Sequence, residues 1–167
     1  MSVSDTVHFK VMSLVHETLY GLFRDPYEAL KAAGLEPGQD VLEVGCGPGF
    51  FTIPAAEMVG SEGSVCALDI SPAAVKRVRQ KIDEAGATNV TTTLADAAAT
   101  GLPDQSFDLI FFFGFRRNAG HMDGILPELY RLLRPAGVLS TEGRLWDSTE
   151  LFRLTKQSGR ILRFEKA

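Results

Sequence analysis

The chain has 167 residues, of which 45% are hydrophobic and 23% are charged, and its formal net charge is −4. This length predicts one domain with its own packed core, and the composition excludes disordered and collagen-like proteins. The acidic balance disfavours a general nucleic-acid binder, so we expect no DNA partner. Two cysteines are too few for a zinc cluster or a disulfide framework, and we expect no metal site.

The sequence carries no predicted export or membrane signal. Its N-terminus lacks the basic and apolar segments of a secretory signal, and no apolar run approaches the roughly 20 residues of a membrane span. We therefore expect a cytoplasmic protein that does not bind membranes, acting as a monomer or homodimer.

Two helices are predicted before the first strand. Residues 8–23 carry apolar side chains at intervals of three and four, which is typical of one buried helical face. A short helix is predicted after Asp25, which has capping-box spacing with Glu28, and it ends at Gly34. We assign residues 1–35 to these N-terminal helices.

From Asp40 onward, short apolar runs alternate with helix-length segments, and each run is predicted to be a strand. The runs occupy residues 40–45, 64–70, 89–95, 107–113, 136–143 and 160–166. Because parallel strands need crossover connections, the alternation predicts an α/β, doubly wound, mostly parallel sheet of about six strands. Helices cover both faces, and an antiparallel strand forms the C-terminal edge. The sheet core is placed at residues 36–167 of a single domain spanning residues 1–167.

Three helices are predicted between these strands, over residues 71–86, 123–135 and 147–159. Each prediction rests on a capping residue at the start and on a glycine or proline at the end. Arg131 and Arg134 fall near the end of the second of these helices, where the helix dipole and an exposed face explain them.

The loop after the first predicted strand contains three alternating glycines, Gly45, Gly47 and Gly49. Glycines tolerate positive φ and let a ligand lie against bare backbone. In doubly wound sheets, ligands bind at the carboxyl ends of the strands, where this loop lies. A tight turn without a ligand explains the glycines equally well when they are considered alone.

The glycine spacing disfavours the two common phosphate-binding motifs. A dinucleotide fingerprint would need glycine at position 50, where Phe50 stands. A P-loop would need Lys followed by Ser or Thr after its last glycine. A nicotinamide enzyme is therefore a weak alternative.

Acidic residues follow the second and third predicted strands. Asp69 is placed to accept hydrogen bonds from both hydroxyls of a ribose, because Ser71 already fills the alternative role of helix N-cap. Asp96 is placed to accept from an exocyclic amine such as that of adenine, with a turn residue as its alternative. Together they predict a nucleoside across adjacent strand ends, with Ile70 and Ala97 against its base.

Four segments, in order, resemble the characteristic segments of class I S-adenosylmethionine-dependent methyltransferases. They are VLEVGCGPGFFT, ALDIS, LADAAATGLPDQSFDLIFF and LYRLLRPAGVL, and the resemblance covers roughly residues 26–143. The most similar branch is the small-molecule one that includes ubiquinone and menaquinone methylases. The resemblance implies a Rossmann-like fold and methyl transfer from S-adenosylmethionine to a small-molecule acceptor, with S-adenosylhomocysteine as the product.

The resemblance also implies a set of cofactor-binding residues. The glycine loop would hold the methionine end, the two acids would bind the ribose and the adenine amine, and the backbone after the fourth strand would flank the methionine moiety. The implied set is Glu43, Gly45, Cys46, Gly47, Gly49, Asp69, Ile70, Asp96, Ala97, Phe113 and Gly114.

The sequence departs from the family's pattern in two places. Only 24 residues follow the fifth predicted strand, enough for one helix and one strand but not for the usual helix and hairpin. The fourth strand is not followed by an Asn-Pro-Pro-Tyr type signature, which disfavours methylation of a nucleobase amine or a glutamine amide.

Methyl transfer needs alignment and a water-poor site, with a general base only where the acceptor must lose a proton. His121, after the fourth strand, is the candidate base, and a solvated or capping histidine is its alternative. The candidate lining of an acceptor pocket is His16, Tyr20, Phe115, Arg116 and Arg117. Ordinary helix-face and solvated-loop roles are the alternatives for these residues.

The competing function is a cofactor-binding module without its own catalysis, either a degenerate paralogue or one subunit of a larger methyltransferase. The short C-terminal part and the lack of an obvious base favour this alternative. Cofactor binding is common to both functions, and only activity separates them.

Overall fold

A computed structural model of the chain describes residues 25–113, 122–143 and 150–167. The helix predicted over residues 8–23 lies outside these ranges. The helices are α1 (Pro26–Ala33), α2 (Thr52–Val59), α3 (Pro72–Ala85) and α4 (Met122–Leu132). The strands are β1 (Asp40–Val44), β2 (Ser64–Asp69), β3 (Val90–Leu94), β4 (Phe107–Phe112), β5 (Leu133–Glu142), β6 (Phe152–Ser158) and β7 (Ile161–Lys166).

The strands form one seven-stranded sheet in the order β3-β2-β1-β4-β5-β7-β6. Strands β1 to β5 pair in parallel, whereas β7 is antiparallel to both β5 and β6. The chain order reverses between β1 and β4, and a crevice forms outside the carboxyl ends at such a switch point. The predicted doubly wound α/β fold is confirmed, with seven strands in place of about six.

The helix predicted over residues 147–159 is wrong in the part that the structure describes, because residues 152–158 form strand β6. Phe152 and Leu154 pack into the core at two-residue spacing, which is the period of a strand. Gly159 has a φ of 59° and turns the chain into β7 instead of ending a helix. Strand β7 is therefore internal, and β6 is the antiparallel edge.

The junction of α4 and β5 also differs from the prediction. The helix ends at Leu132 and the strand begins at Leu133, before the expected boundary at Pro135. The β4–β5 register shifts between the pairs Phe107–Leu133 and Leu109–Val138. Proline cannot donate a ladder hydrogen bond, so Pro135 is accommodated in this irregular stretch.

Arg131 links α4 to the loop before β4, a role that the predicted exposed helix face did not anticipate. Its guanidinium donates to Glu128 Oε1 at 2.7 Å and to the Leu102 carbonyl oxygen at 2.8 Å, and it pairs with Asp104. Hydrogen bonds from Arg131 and Thr100 lower the pKa of Glu128 to about 2. The loop that leads from β3 into β4 is thus fixed against the helix.

Arg134 lies on β5, beyond the end of the helix in which it was predicted, and it joins the amino ends of two neighbouring strands. Its guanidinium lies 2.8 Å from Asp40 Oδ2 on β1 and 2.5 Å from Asp108 Oδ2 on β4. The contact ties the two strands together at the edge of the sheet opposite the crevice.

The core lies on both faces of the sheet. Along β4, Phe111 and Phe112 point to opposite faces and are fully buried, as expected for a central parallel strand. Helices α1 and α2 pack on the face of Phe111, whereas α4 packs on the face of Phe112. None of the four described helices has the length and hydropathy of a membrane span.

Candidate functional site

The glycine loop between β1 and α2 is a run of left-handed turns. Gly45, Gly47 and Gly49 have φ values of 70°, 52° and 77°. The Gly45 N–H donates to the Leu68 carbonyl oxygen at 2.8 Å, and the Gly49 N–H donates to the Cys46 carbonyl oxygen at 2.9 Å. The conformation expected from the alternating glycines is therefore present, and it is anchored to the end of β2.

Two of these glycines have different surroundings. A side chain at Gly49 would meet Val78 Cγ2 on α3 at 3.0 Å, so this position is closed by packing. A side chain at Gly47 would meet nothing within 4 Å, so bare backbone faces open space there. Cys46, which precedes Gly47, is buried, and burial raises the pKa of its thiol, which makes it an unreactive packing residue.

Asp69, at the carboxyl end of β2, points at the glycine loop. Its Oδ2 accepts from the Gly47 N–H at 2.8 Å, and its Oδ1 accepts from the Ser71 N–H at 2.8 Å. A carboxylate has about four lone-pair positions, so each oxygen can accept a further hydrogen bond. Ser71 caps α3 by accepting from the Ala74 N–H, as the sequence predicts.

The carboxyl end of β3 is more exposed than that of β2. Asp96 Oδ1 accepts from the Ala98 N–H at 2.9 Å, so the turn role weighed for this residue is present. The residue is exposed, and within the described ranges its Oδ2 accepts no hydrogen bond. Ile70 is 68% exposed and Ala97 is half-buried, so the two offer apolar surface next to the acids.

A hollow opens to solvent over the ends of β1 and β4, with about 590 Å³ of space including its mouth. The ring of Phe113 lies 5.3 Å from that of Phe51 and 5.1 Å from that of Phe111, so one wall is aromatic. The predicted site residues that line it are Glu43, Gly45, Cys46, Gly47 and Phe113.

Glu43 forms the polar floor of this hollow. It is 3% exposed, and the Thr52 hydroxyl donates to its Oε2 at 2.5 Å. Burial raises the pKa of Glu43 to about 8, and the negative charge of Asp69 acts in the same direction. The carboxyl group is therefore mostly protonated at neutral pH.

The raised pKa of Glu43 predicts a pH-dependent stability. The unfolded carboxyl titrates near 4.5 and the folded one near 8, so the folded chain binds the extra proton between these values. Stability contributed by this proton is complete below 4.5 and is lost as the pH rises through 8. From about pH 6 to about pH 7.5, ligand-free wild-type protein should lose about 1.9 kcal/mol more unfolding free energy than Glu43→Gln does. Urea unfolding at each pH measures the difference, and parallel profiles for the two proteins would contradict the assignment.

Glu142, which the sequence analysis did not select, ends β5, and its Oε1 lies 3.7 Å from Arg160 Nε. The pair Phe112–Thr141 places Glu142 next to Phe113 in the following row, and two-residue alternation puts it on the face of Val138. Its side chain is 8% exposed. The available signal was its position directly after a buried run, the same signal that identified the two strand-end aspartates.

Several predicted site residues lie outside the described ranges, and their roles stay predictions. They are His16, Tyr20, Gly114, Phe115, Arg116, Arg117 and His121. In the ranges that the structure does describe, no cluster of three or more His, Cys, Asp or Glu side chains is arranged to hold a metal ion.

Comparison with known proteins finds methyltransferases. A family model described as a methyltransferase domain matches residues 35–162. The demethylmenaquinone methyltransferase of Listeria welshimeri is 38% identical over 114 residues, which are 68% of this chain and 48% of that protein. The aklanonic acid methyltransferase of Streptomyces sp. is 35% identical over 117 residues, 70% of this chain and 50% of that protein. The chain thus spans about half the length of these curated relatives.

Among solved structures, a SAM-dependent methyltransferase from Aquifex aeolicus superposes with a TM-score of 0.75 over 95% of each chain. Its sequence identity is 24%, so this likeness supports the fold. An arsenic(III) S-adenosylmethionine methyltransferase from Chlamydomonas reinhardtii gives a TM-score of 0.57 at 30% identity, covering 66% of this chain and 40% of that one.

Proposed function

The chain belongs to the class I S-adenosylmethionine-dependent methyltransferases, and from that premise we propose that it transfers a methyl group from S-adenosylmethionine to a small-molecule acceptor. One observation carries the proposal: the hydrogen bond between the Gly47 N–H and Asp69 Oδ2 at 2.8 Å. It joins the bare-backbone loop to a carboxylate suited to a ribose, so one ligand can contact both.

The residues present fit the cofactor. We assign the ribose hydroxyls to Asp69, whose oxygens keep free lone pairs, and the adenine amine to the exposed side chain of Asp96. Ile70 and Ala97 supply apolar contacts for the base. The methionine end is assigned to Glu43 and to the loop of Gly45, Cys46, Gly47 and Gly49, flanked by the backbone of Phe113 and Gly114.

When bound, the cofactor supplies a methyl group on a positively charged sulfur. The role of the protein is to align donor and acceptor and to keep water away from them, because displacement at a methyl carbon depends on in-line geometry. The aromatic wall of Phe51, Phe111 and Phe113 provides the water-poor side of the hollow. We propose that Glu142 lies on the acceptor side, beyond Phe113.

The acceptor is proposed to be a small aromatic molecule, since relatives from Listeria and Streptomyces are named for demethylmenaquinone and aklanonic acid. His121 is the proposed base where the acceptor must lose a proton. His16, Tyr20, Phe115, Arg116 and Arg117 are the proposed lining of its pocket.

We propose one domain over residues 1–167, with N-terminal helices in 1–35 and the sheet core in 36–167, acting as a monomer or homodimer that binds neither DNA nor membranes. Both cysteines are free thiols, which suits a reducing compartment such as the cytoplasm.

A methyl-transfer assay tests the proposal. Purified protein is incubated with methyl-labelled S-adenosylmethionine and a panel containing demethylmenaquinone in oxidised and reduced form, aklanonic acid and simple phenols, with Asp69→Ala as control. Label in an acceptor for the wild type and not for the variant supports the enzyme. Cofactor binding without transfer favours the module without catalysis, and absence of cofactor binding contradicts both.

A further inference from the structure

We propose that Glu43 selects the amino-acid end of the cofactor by proton exchange: it holds a proton in the ligand-free site and gives it up when an ammonium group arrives. This inference rests on the proposed function, because it requires the methionine end of S-adenosylmethionine to lie over the glycine loop. It goes further in assigning a charge state to each form of the site.

The geometry around Glu43 supports a neutral carboxyl group in the ligand-free protein. The side chain is 3% exposed, and the Thr52 hydroxyl is its hydrogen-bond donor, at 2.5 Å from Oε2. No cationic side chain in the described ranges forms an ion pair with it. An ionised carboxylate without a paired cation is strongly disfavoured in a buried position, so the group keeps its proton.

Two charged side chains act on Glu43 from neighbouring elements, Asp69 and Lys81. Asp69, at the end of β2, disfavours a second negative charge, and the thiol of Cys46 is buried and neutral. Lys81 on α3 favours ionisation, but its Nζ lies 3.3 Å from the Gly49 carbonyl oxygen. The neighbour on β4, Phe111, is apolar. Desolvation is the largest effect and sets the pKa of Glu43 at about 8.

Cofactor binding then replaces the proton on Glu43 with the positively charged ammonium group of the ligand. The O–H bond of the Glu43 carboxyl breaks, its proton passes to solvent, and the carboxylate pairs with the arriving ammonium. A buried carboxylate is stable in its charged form once it has such a partner. A ligand with the adenosine half alone brings no ammonium and leaves the proton in place. The floor of the hollow therefore distinguishes the cofactor and its product from other adenosine compounds.

Calorimetric titrations in buffers of different ionisation enthalpy count the protons released. The proteins are wild type, Glu43→Gln and the exposed control Glu62→Gln. The ligands are S-adenosylmethionine, S-adenosylhomocysteine and 5′-methylthioadenosine, which lacks the amino-acid end. At about pH 7 a group with a pKa near 8 is about nine-tenths protonated, so wild type should release about 0.9 proton more than Glu43→Gln with the first two ligands. The methylthioadenosine titrations should show no such difference.

Repeating the titrations at several pH values gives a second readout. The ratio of the Kd of Glu43→Gln to that of wild type for S-adenosylmethionine should rise about tenfold from about pH 6 to about pH 7, because titration of the ligand's own amine cancels in the ratio. Retained binding of methylthioadenosine by Glu43→Gln shows that the variant is folded. Equal proton release by the two proteins would overturn the inference and leave the proposed function intact. Absence of S-adenosylmethionine binding to wild type would overturn both.

Discussion

Replacing Asp69 by alanine is expected to raise the Kd for S-adenosylmethionine about 100-fold, or about 2.7 kcal/mol. The substitution removes the acceptors for the ribose hydroxyls, and hydrogen bonds to a charged group contribute about 1.5–3 kcal/mol each. It also removes the acceptors of the Gly47 and Ser71 N–H groups, which hold the loop toward β2. Calorimetric titration measures the change.

Two further variants make the Asp69 result specific. Asp69→Asn keeps the shape but turns an NH₂ group toward one of the two N–H donors, so it should lose nearly as much affinity as Asp69→Ala. Asp83→Ala, on the exposed side of α3, should bind like wild type. A Kd for Asp69→Ala within about threefold of the wild-type value would contradict the ribose assignment, since a lost charged hydrogen bond exceeds that difference.

Replacing Gly47 by alanine should separate ligand binding from folding. A residue other than glycine at a φ of 52° is strained, which should lower the free energy of unfolding by about 1 kcal/mol. The added methyl group meets no protein atom within 4 Å and projects into the space assigned to the cofactor. We expect a Kd increase of about 50-fold, about 2.3 kcal/mol, which is larger than the strain alone.

The matched control is Gly86→Ala. Gly86 ends α3 with a φ of 63°, and a side chain there also meets nothing within 4 Å. The Gly86→Ala variant should lose as much unfolding free energy as Gly47→Ala, measured by urea unfolding. It should keep the wild-type Kd for S-adenosylmethionine. Equal affinities for the Gly47 and Gly86 variants would show that the open face over Gly47 does not receive the cofactor.

The parts of the site carried by local sequence were predictable. Alternating glycines require positive φ, and a residue that directly ends a parallel strand lies at the carboxyl edge wherever the chain goes next. The sequence therefore predicts that Asp69 and the loop of Gly45, Gly47 and Gly49 lie at the same edge, and the structure shows their contact at Gly47. The same argument places Asp96 at this edge, where it also forms the turn that is its alternative role.

The errors arose where distant contacts decide the structure. Asp147 and Glu150 have the spacing of a helix cap, but residues 152–158 gain more from pairing with β7 and burying Phe152. Arg131 resembles any basic residue near a helix end until Asp104, 27 positions earlier, is brought beside it. Such pairs are set by the fold and have no local signature.

The protonation state of Glu43 is also set by residues that are distant in sequence. The burial of its carboxyl group depends on Thr52 from α2 and on the aromatic wall. That wall includes Phe111, the register partner of Glu43 on β4. None of these neighbours is adjacent in sequence, so the residue could be identified from the family's motif but its protonation could not.

A crystal structure of the protein with S-adenosylhomocysteine would show where the cofactor binds. We expect the ribose hydroxyls on Asp69, the amino-acid end against the backbone of residues 45–49 with its ammonium at Glu43, and the adenine near Asp96. A ligand bound elsewhere, or a ribose that leaves both Asp69 oxygens to the Gly47 and Ser71 N–H groups alone, would contradict it.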